Sequence, residues 1–114
     1  MVVLVVDDEP LVRMGISALL RDLDHEVVEA ALGMQALEKM HDHPHIDLLL
    51  TDYKMPGMSG IELADRCRTI QAGINVILMT GYSSQDHVFE ADCPPRLAKP
   101  FGIRSLKMAI EQFI

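Results

Sequence analysis

Short apolar runs alternate with amphipathic stretches along the whole chain. Val2 to Val6 is a continuous, mostly β-branched run, the pattern of a strand buried on both faces. Pro10 suits a first helical position, and Leu11, Met14, Ala18 and Leu19 then recur at helical spacing to about Asp22. Glu26 to Ala30 reads as a second, edge-like strand, Gly33 to Met40 as a short helix, and Asp47 to Thr51 as a strand centred on three leucines. The stretch from Tyr53 to Gly60 is turn chemistry, with Pro56, Gly57 and Gly60. Ser59 followed by Glu62 forms a capping-box signature for a third helix running to about Ile70. Asn75 to Met79 is a fourth strand. Ser83 or Ser84 caps a short helix that Pro94 must end. Arg96 to Ala98 is a minimal fifth strand. Ile103 to Phe113 is the last helix, with Ile103, Leu106, Ile110 and Phe113 on one stripe. Five strands alternating with five helices predict a doubly wound parallel α/β sheet, whose site lies at the carboxyl ends of the strands.

Composition narrows the function classes. The 114 residues fit one domain spanning 1–114, and 49% hydrophobic content is enough for a core. Aromatics are only 4%, so that core is aliphatic. A net charge of −7 argues against nucleic-acid binding by this domain and against an anionic membrane surface. Cys67 and Cys93 fit no CxxC pattern and read as free thiols in a reducing compartment. No apolar run reaches about 18 residues and no basic leader precedes the first strand, which points to the cytoplasm. Strand and helix begin and end so close to the termini that a domain cut from a longer protein is expected.

Four predicted strands end on reactive residues. The first runs into Asp7, Asp8 and Glu9, the third into Asp52, the fourth into Thr80 and the fifth into Lys99. Parallel strands present these ends on one rim. Carboxylates gathered there repel one another unless one is protonated or a cation neutralises them. With oxygen ligands alone, that cation is Mg²⁺ or Mn²⁺ in preference to Zn²⁺. A divalent cation, a lysine and a threonine hydroxyl around one carboxylate suit a transferred phosphoryl group.

At these residues the chain resembles a response-regulator receiver domain, the phosphoacceptor module of two-component systems. VVDDEP (Val5 to Pro10), TDYKMPGMSG (Thr51 to Gly60), LMTGY (Leu78 to Tyr82) and AKPF (Ala98 to Phe101) carry the likeness, in family order and over essentially the whole chain. The resemblance implies a flavodoxin-like (βα)5 fold with strand order 2-1-3-4-5 and helices on both faces. It implies that Asp52 accepts the phosphoryl group from phosphohistidine. Asp8 would ligate Mg²⁺ directly and Asp7 mainly through water, with Asp52 and the backbone carbonyl of Lys54 completing the protein ligands. Lys99 would pair with Asp52 and then with the phosphoryl group, and Thr80 would swing onto another phosphoryl oxygen. The Lys99–Pro100 bond would be cis, and Gly81 would leave an entry path for the donor. The implied partner is a histidine kinase or histidine phosphotransfer domain, and an attached kinase or output domain stays open. The domain would be a self-phosphorylating, slowly self-dephosphorylating switch and not a turnover enzyme.

The chain departs from the family in its readout half. Arg96 stands where a Tyr or Phe is usual, three residues before the lysine. The span from Thr80 to Lys99 is short and carries Cys93-Pro94-Pro95, so a shortened or irregular fourth helix is expected, with output that avoids the usual surface. Such receivers resemble those of hybrid histidine kinases. Lys54 and Tyr82, two residues past Asp52 and Thr80, would flank the attacking water, and bulk there would slow hydrolysis.

Other features have blander readings. His41, His43 and His45 with Asp42 read as a solvated loop, Asp22, Asp24 and Glu26 as a solvated turn, and Met34, Met79 and Met108 as packing. Leu11 and Val12 are core, or with Gly15 they dock a helical donor. Two other functions stay open. One is a degenerate receiver acting as a phosphorylation-independent interaction module. The other is an aspartate-nucleophile phosphatase, which would need an acid–base Asp where Lys54 stands.

Overall fold

A computed structural model of the chain describes residues 1–81 and 94–114. Five strands form one parallel sheet: β1 (Val2–Val6), β2 (Glu26–Ala30), β3 (Leu48–Asp52), β4 (Asn75–Thr80) and β5 (Arg96–Ala98), in the order β2-β1-β3-β4-β5. Among the described residues there are four helices: α1 (Pro10–Asp22), α2 (Gly33–Asp42), α3 (Gly60–Ile70) and α4 (Ile103–Glu111). The helix expected between Ser83 and Pro94 lies outside the described residues, as do Tyr82 and Cys93.

The two faces of the sheet are covered separately. Leu4, Val6, Leu49, Val76 and Leu78 point to one side and pack with Ala36 and Met40 of α2 and Leu63, Ala64 and Cys67 of α3. Val3, Val5, Leu48, Leu50, Ile77 and Met79 point to the other, against Ile16 and Leu20 of α1 and Leu106 and Ile110 of α4. Successive strand residues therefore bury on opposite faces, which is why β1, β3 and β4 read as unbroken apolar runs. Flanking β5 is half-buried only at Leu97.

Two strand ends run one residue further than expected. Asp52 pairs with Met79, and Thr80 pairs with Ala98, so both reactive residues belong to the ladder and not to the loops after it. Ser59 caps α3 as anticipated, its hydroxyl accepting from the Glu62 N–H at 3.1 Å. Gln35 Oε1 accepts from the Ala31 N–H at 2.6 Å at the entry to α2.

The helix faces needed correction. Met34 and Met108 are not packing residues but stand in water, while Met79 is fully buried. On α1, Leu11, Met14 and Ala18 are exposed, and the buried row is Ile16, Ser17 and Leu20. Met14, Met34 and Met108 share one cause. Each sits two positions from a buried residue (Ile16, Ala36 and Leu106), and at 3.6 residues per turn that is about 200° around the helix. Ile103 is likewise exposed, α2 continues through His41 to Asp42, and α4 ends at Glu111. His43 and His45 follow in an exposed loop, as expected, and Asp22, Asp24 and Glu26 are also exposed.

Candidate functional site

The carboxyl ends of β1, β3, β4 and β5 lie on one rim, and the side chains there divide sharply by burial. Asp7 follows β1, and its N–H donates to the Ala30 carbonyl at 3.2 Å, extending the β1–β2 ladder by one residue. Its carboxylate is fully buried. Oδ1 accepts from the Glu9 N–H at 2.9 Å, and Oδ2 lies 3.1 Å from the Lys99 ammonium. A buried carboxylate needs such partners, because an unpaired charge out of water is costly. Lys99 also reaches Asp52, with Nζ 3.2 Å from Oδ1. Asp8 is exposed. One oxygen from each of Asp7, Asp8 and Asp52 falls within 4.8 Å of the others.

Backbone hydrogen bonds hold this register. The Lys99 N–H donates to the Thr80 carbonyl at 2.6 Å, and the Tyr53 N–H donates to the Met79 carbonyl at 2.8 Å. Thr80 is half-buried at the end of β4, paired with Ala98 next to Lys99. Lys54 lies in the exposed turn after Asp52. The Lys99–Pro100 peptide is cis. A side chain added at Gly81 would meet open space.

Three carboxylates against one ammonium leave the cluster short of positive charge. Burial raises the pKa of Asp52 above the ordinary aspartate value. Lys99 opposes that rise, while Asp7 and Asp8 add to it. For Lys99 burial works against the charged form, but hydrogen bonding and attraction from Asp7 and Asp52 outweigh it, and the pKa ends up raised. The two partners thus pull differently: the lysine stays an ammonium, and the crowding falls on Asp52. A divalent cation would relieve that crowding. The donor set is all oxygen, with one ligand group exposed and two held in place, which fits a hard cation that keeps several waters.

Three structural contributors were not evident from the sequence. Gly60 opens α3, and its N–H donates to the Tyr53 carbonyl at 2.8 Å. A Cβ there would overlap the backbone carbonyl oxygen of Asp52, so glycine is required for α3 to approach the end of β3 this closely. Its sequence signal was membership of a turn-rich stretch that also carries the family likeness, and neither marks the close approach. Arg13 and Glu29, which pair beside the β1–α1 loop, gave no signal beyond being charged residues in apolar surroundings. Arg96 is exposed on β5, as a charged side chain on a flanking strand should be.

Beside the acidic cluster runs an open groove of about 580 Å³. Leu11, Val12 and Gly15 of α1 form one wall, and Lys99, Pro100 and Phe101 form the other. Leu11 is 82% exposed, so it contributes little to the core.

Comparison with known proteins agrees with this geometry. The family model described as response regulator receiver domain matches residues 3–111. Sporulation initiation phosphotransferase F of Bacillus subtilis (strain 168) is 34% identical over 98% of this chain and 92% of its own length. Sensor kinase CckA of Brucella abortus (strain 2308) is 32% identical over 98% of this chain, which spans only 12% of that protein. The crystal structure of a response regulator receiver domain protein from Clostridium thermocellum superposes with a TM-score of 0.89 at 30% identity, covering 99% of this chain and 93% of the other.

Proposed function

Because the chain belongs to the response regulator receiver domain family, we propose that it is a phosphoacceptor switch in which Asp52 takes a phosphoryl group from a phosphohistidine. The observation that carries this reading is the placing of Asp52 3.2 Å from Lys99, with Asp7 and Asp8 within reach of a shared cation. Asp7, Asp8, Asp52 and the backbone carbonyl of Lys54 would hold Mg²⁺ or Mn²⁺. When bound, the cation supplies positive charge to the phosphoryl oxygens in the transition state.

A carboxylate oxygen of Asp52 attacks phosphorus in line. The new O–P bond forms as the P–N bond to the donor imidazole breaks, and the electron pair leaves with the imidazole nitrogen. Lys99 follows the charge, moving from Asp52 Oδ1 to a phosphoryl oxygen while Asp7 holds its other side. Thr80, on the adjoining strand end, donates its hydroxyl to a second phosphoryl oxygen. The resulting dianion favours the conformer in which these contacts are made, and a few kcal/mol of preference is enough to shift the population. Water later attacks the same phosphorus and releases phosphate, so the domain resets itself with no separate turnover substrate.

The partner reading follows from the groove. A helix bearing the phosphohistidine would lie on Leu11, Val12 and Gly15, bringing its imidazole to the rim. We place the domain in the cytoplasm, as part of a phosphorelay with a histidine kinase or a histidine phosphotransfer domain. A buried, unpaired Cys67, with its thiol pushed up to about 11 by burial, suits a reducing setting. Among the described residues no helix is long and apolar enough to cross a membrane.

Acetyl phosphate with Mg²⁺, followed by intact-mass measurement, tests the proposal. Wild type is expected to gain one phosphoryl group and Asp52→Asn none. If wild type gained nothing from acetyl phosphate or from a phosphohistidine protein, the chain would instead be a phosphorylation-independent interaction module.

A further inference from the structure

The acidic loop between β1 and α1 is three residues long, and its conformation decides where Asp8 points. Asp7 is anchored from three directions, by the Ala30 carbonyl, the Glu9 N–H and Lys99. Among the described residues, exposed Asp8 has no side-chain hydrogen bond or ion pair like those of Asp7. Beyond the Glu9 carbonyl, which accepts from the Arg13 N–H at 2.9 Å as α1 begins, the loop is held through the carbonyl of Asp7, which accepts from Arg13 Nη1 at 2.7 Å. Arg13 lies on α1, one turn past Glu9, and its side chain is only 18% exposed. It points away from the groove lined by Leu11, Val12 and Gly15, toward β2. There its Nε donates to Glu29 Oε1 at 3.1 Å. The other oxygen of Glu29 faces Arg21 Nη2 at 3.7 Å. The guanidinium thus bridges two elements, with one edge on the Asp7 backbone and the other on a carboxylate carried by β2. Its planar fork makes both contacts at once, which a lysine cannot reproduce.

We infer that Arg13, aligned by Glu29, is a positioning residue that fixes the Asp7–Asp8 backbone in the geometry needed for cation binding. Arg13's role rests on reading Asp7, Asp8 and Asp52 as a cation site. Charge alone predicts the opposite of positioning. A guanidinium near a divalent cation repels it, so simple removal of the charge would tighten cation binding. Removal of a brace loosens the loop and weakens binding. Outer contacts of this kind are typically worth about tenfold or more in metal affinity.

Titration of the full chain with Mn²⁺, following the free-ion signal by electron paramagnetic resonance, separates the two. Arg13→Met is expected to weaken Mn²⁺ binding about tenfold. Arg21→Met removes a cation from the same Glu29 without touching the loop and is expected to leave affinity within about twofold. Unchanged or tighter binding by Arg13→Met overturns the inference, as does equal weakening in both variants. Where Arg13→Met does not fold, Glu29→Gln carries the test. Its loss of affinity relative to wild type must persist in about 1 M KCl, where screening shortens to roughly 3 Å. A loss that vanishes there is electrostatic and also overturns the inference. If wild type itself takes up no Mn²⁺, the cation reading fails, and Arg13's role fails with it. If wild type binds and the variants match it, only Arg13's role fails.

Discussion

The acidic pocket and the groove beside it share Lys99 and the first turn of α1, yet they are built on opposite terms. In the pocket, the mostly buried Lys99 ammonium lies 3.1 Å from the fully buried Asp7 carboxylate and 3.2 Å from the mostly buried Asp52 carboxylate. Little there can move without stranding a charge. In the groove, Leu11 stands almost wholly in water and Gly15 leaves space that no neighbour fills. The contrast fits the two tasks proposed for the domain. Chemistry at Asp52 needs groups held before the reaction begins, because reorganisation in the transition state costs rate. Recognition of a partner needs apolar surface left over after folding, and that surface contributes little to stability.

If this contrast holds, substitutions in the pocket should cost stability and those in the groove should not. The largest effect belongs to Lys99→Met, which leaves Asp7 buried without its cation. Unfolding by urea near neutral pH should show a loss of about 3 kcal/mol, with phosphoryl uptake abolished. A loss below about 1 kcal/mol would mean that the pocket relaxes as freely as the groove.

A smaller effect is expected from Asp52→Asn, and it depends on pH. Burial and crowding raise the Asp52 pKa in the folded state. The folded protein therefore holds that proton more tightly than the unfolded chain. The associated stability is fully present below the unfolded value of about 3.9 and is lost as pH rises through the higher folded value. Asp52→Asn should accordingly be more stable than wild type at neutral pH, and the advantage should shrink as pH falls through that window. Thermal melts across the range check this, and a pH-independent difference would contradict the crowding.

The smallest change in stability is expected from Leu11→Ala, within about 0.5 kcal/mol. Its effect should appear in recognition instead, as about a tenfold slower transfer from a phosphohistidine protein, with uptake from acetyl phosphate unchanged. A parallel fall with both donors would place Leu11 in the pocket's chemistry and erase the distinction.

Much of the pocket was legible before any coordinates. Asp7, Asp8, Asp52, Thr80 and Lys99 each terminate an apolar run, and parallel strands bring such ends together whatever lies between them. The alternating burial of β1, β3 and β4 and the Ser59 cap were readable from local pattern, while the sheet order came with the family likeness. The groove was only half legible. Leu11 and Val12 left open a choice between core and docking surface, and periodicity cannot settle the rotation of a helix about its own axis. Met14, Met34 and Met108 were misplaced on that account, because a methionine suits either face.

The sequence by itself determined which residues end the strands along one rim, through periodicity, and its strand-end motifs carried the family likeness and with it the strand order. Only the tertiary structure decided that Asp7 is wholly buried while Asp8 is exposed, that Gly60 must lack a side chain to pass the Asp52 carbonyl, and that Arg13 turns toward Glu29. These facts depend on distances between segments far apart in the chain. Such distances are set by how helices settle onto the sheet, and no local pattern of residues records them.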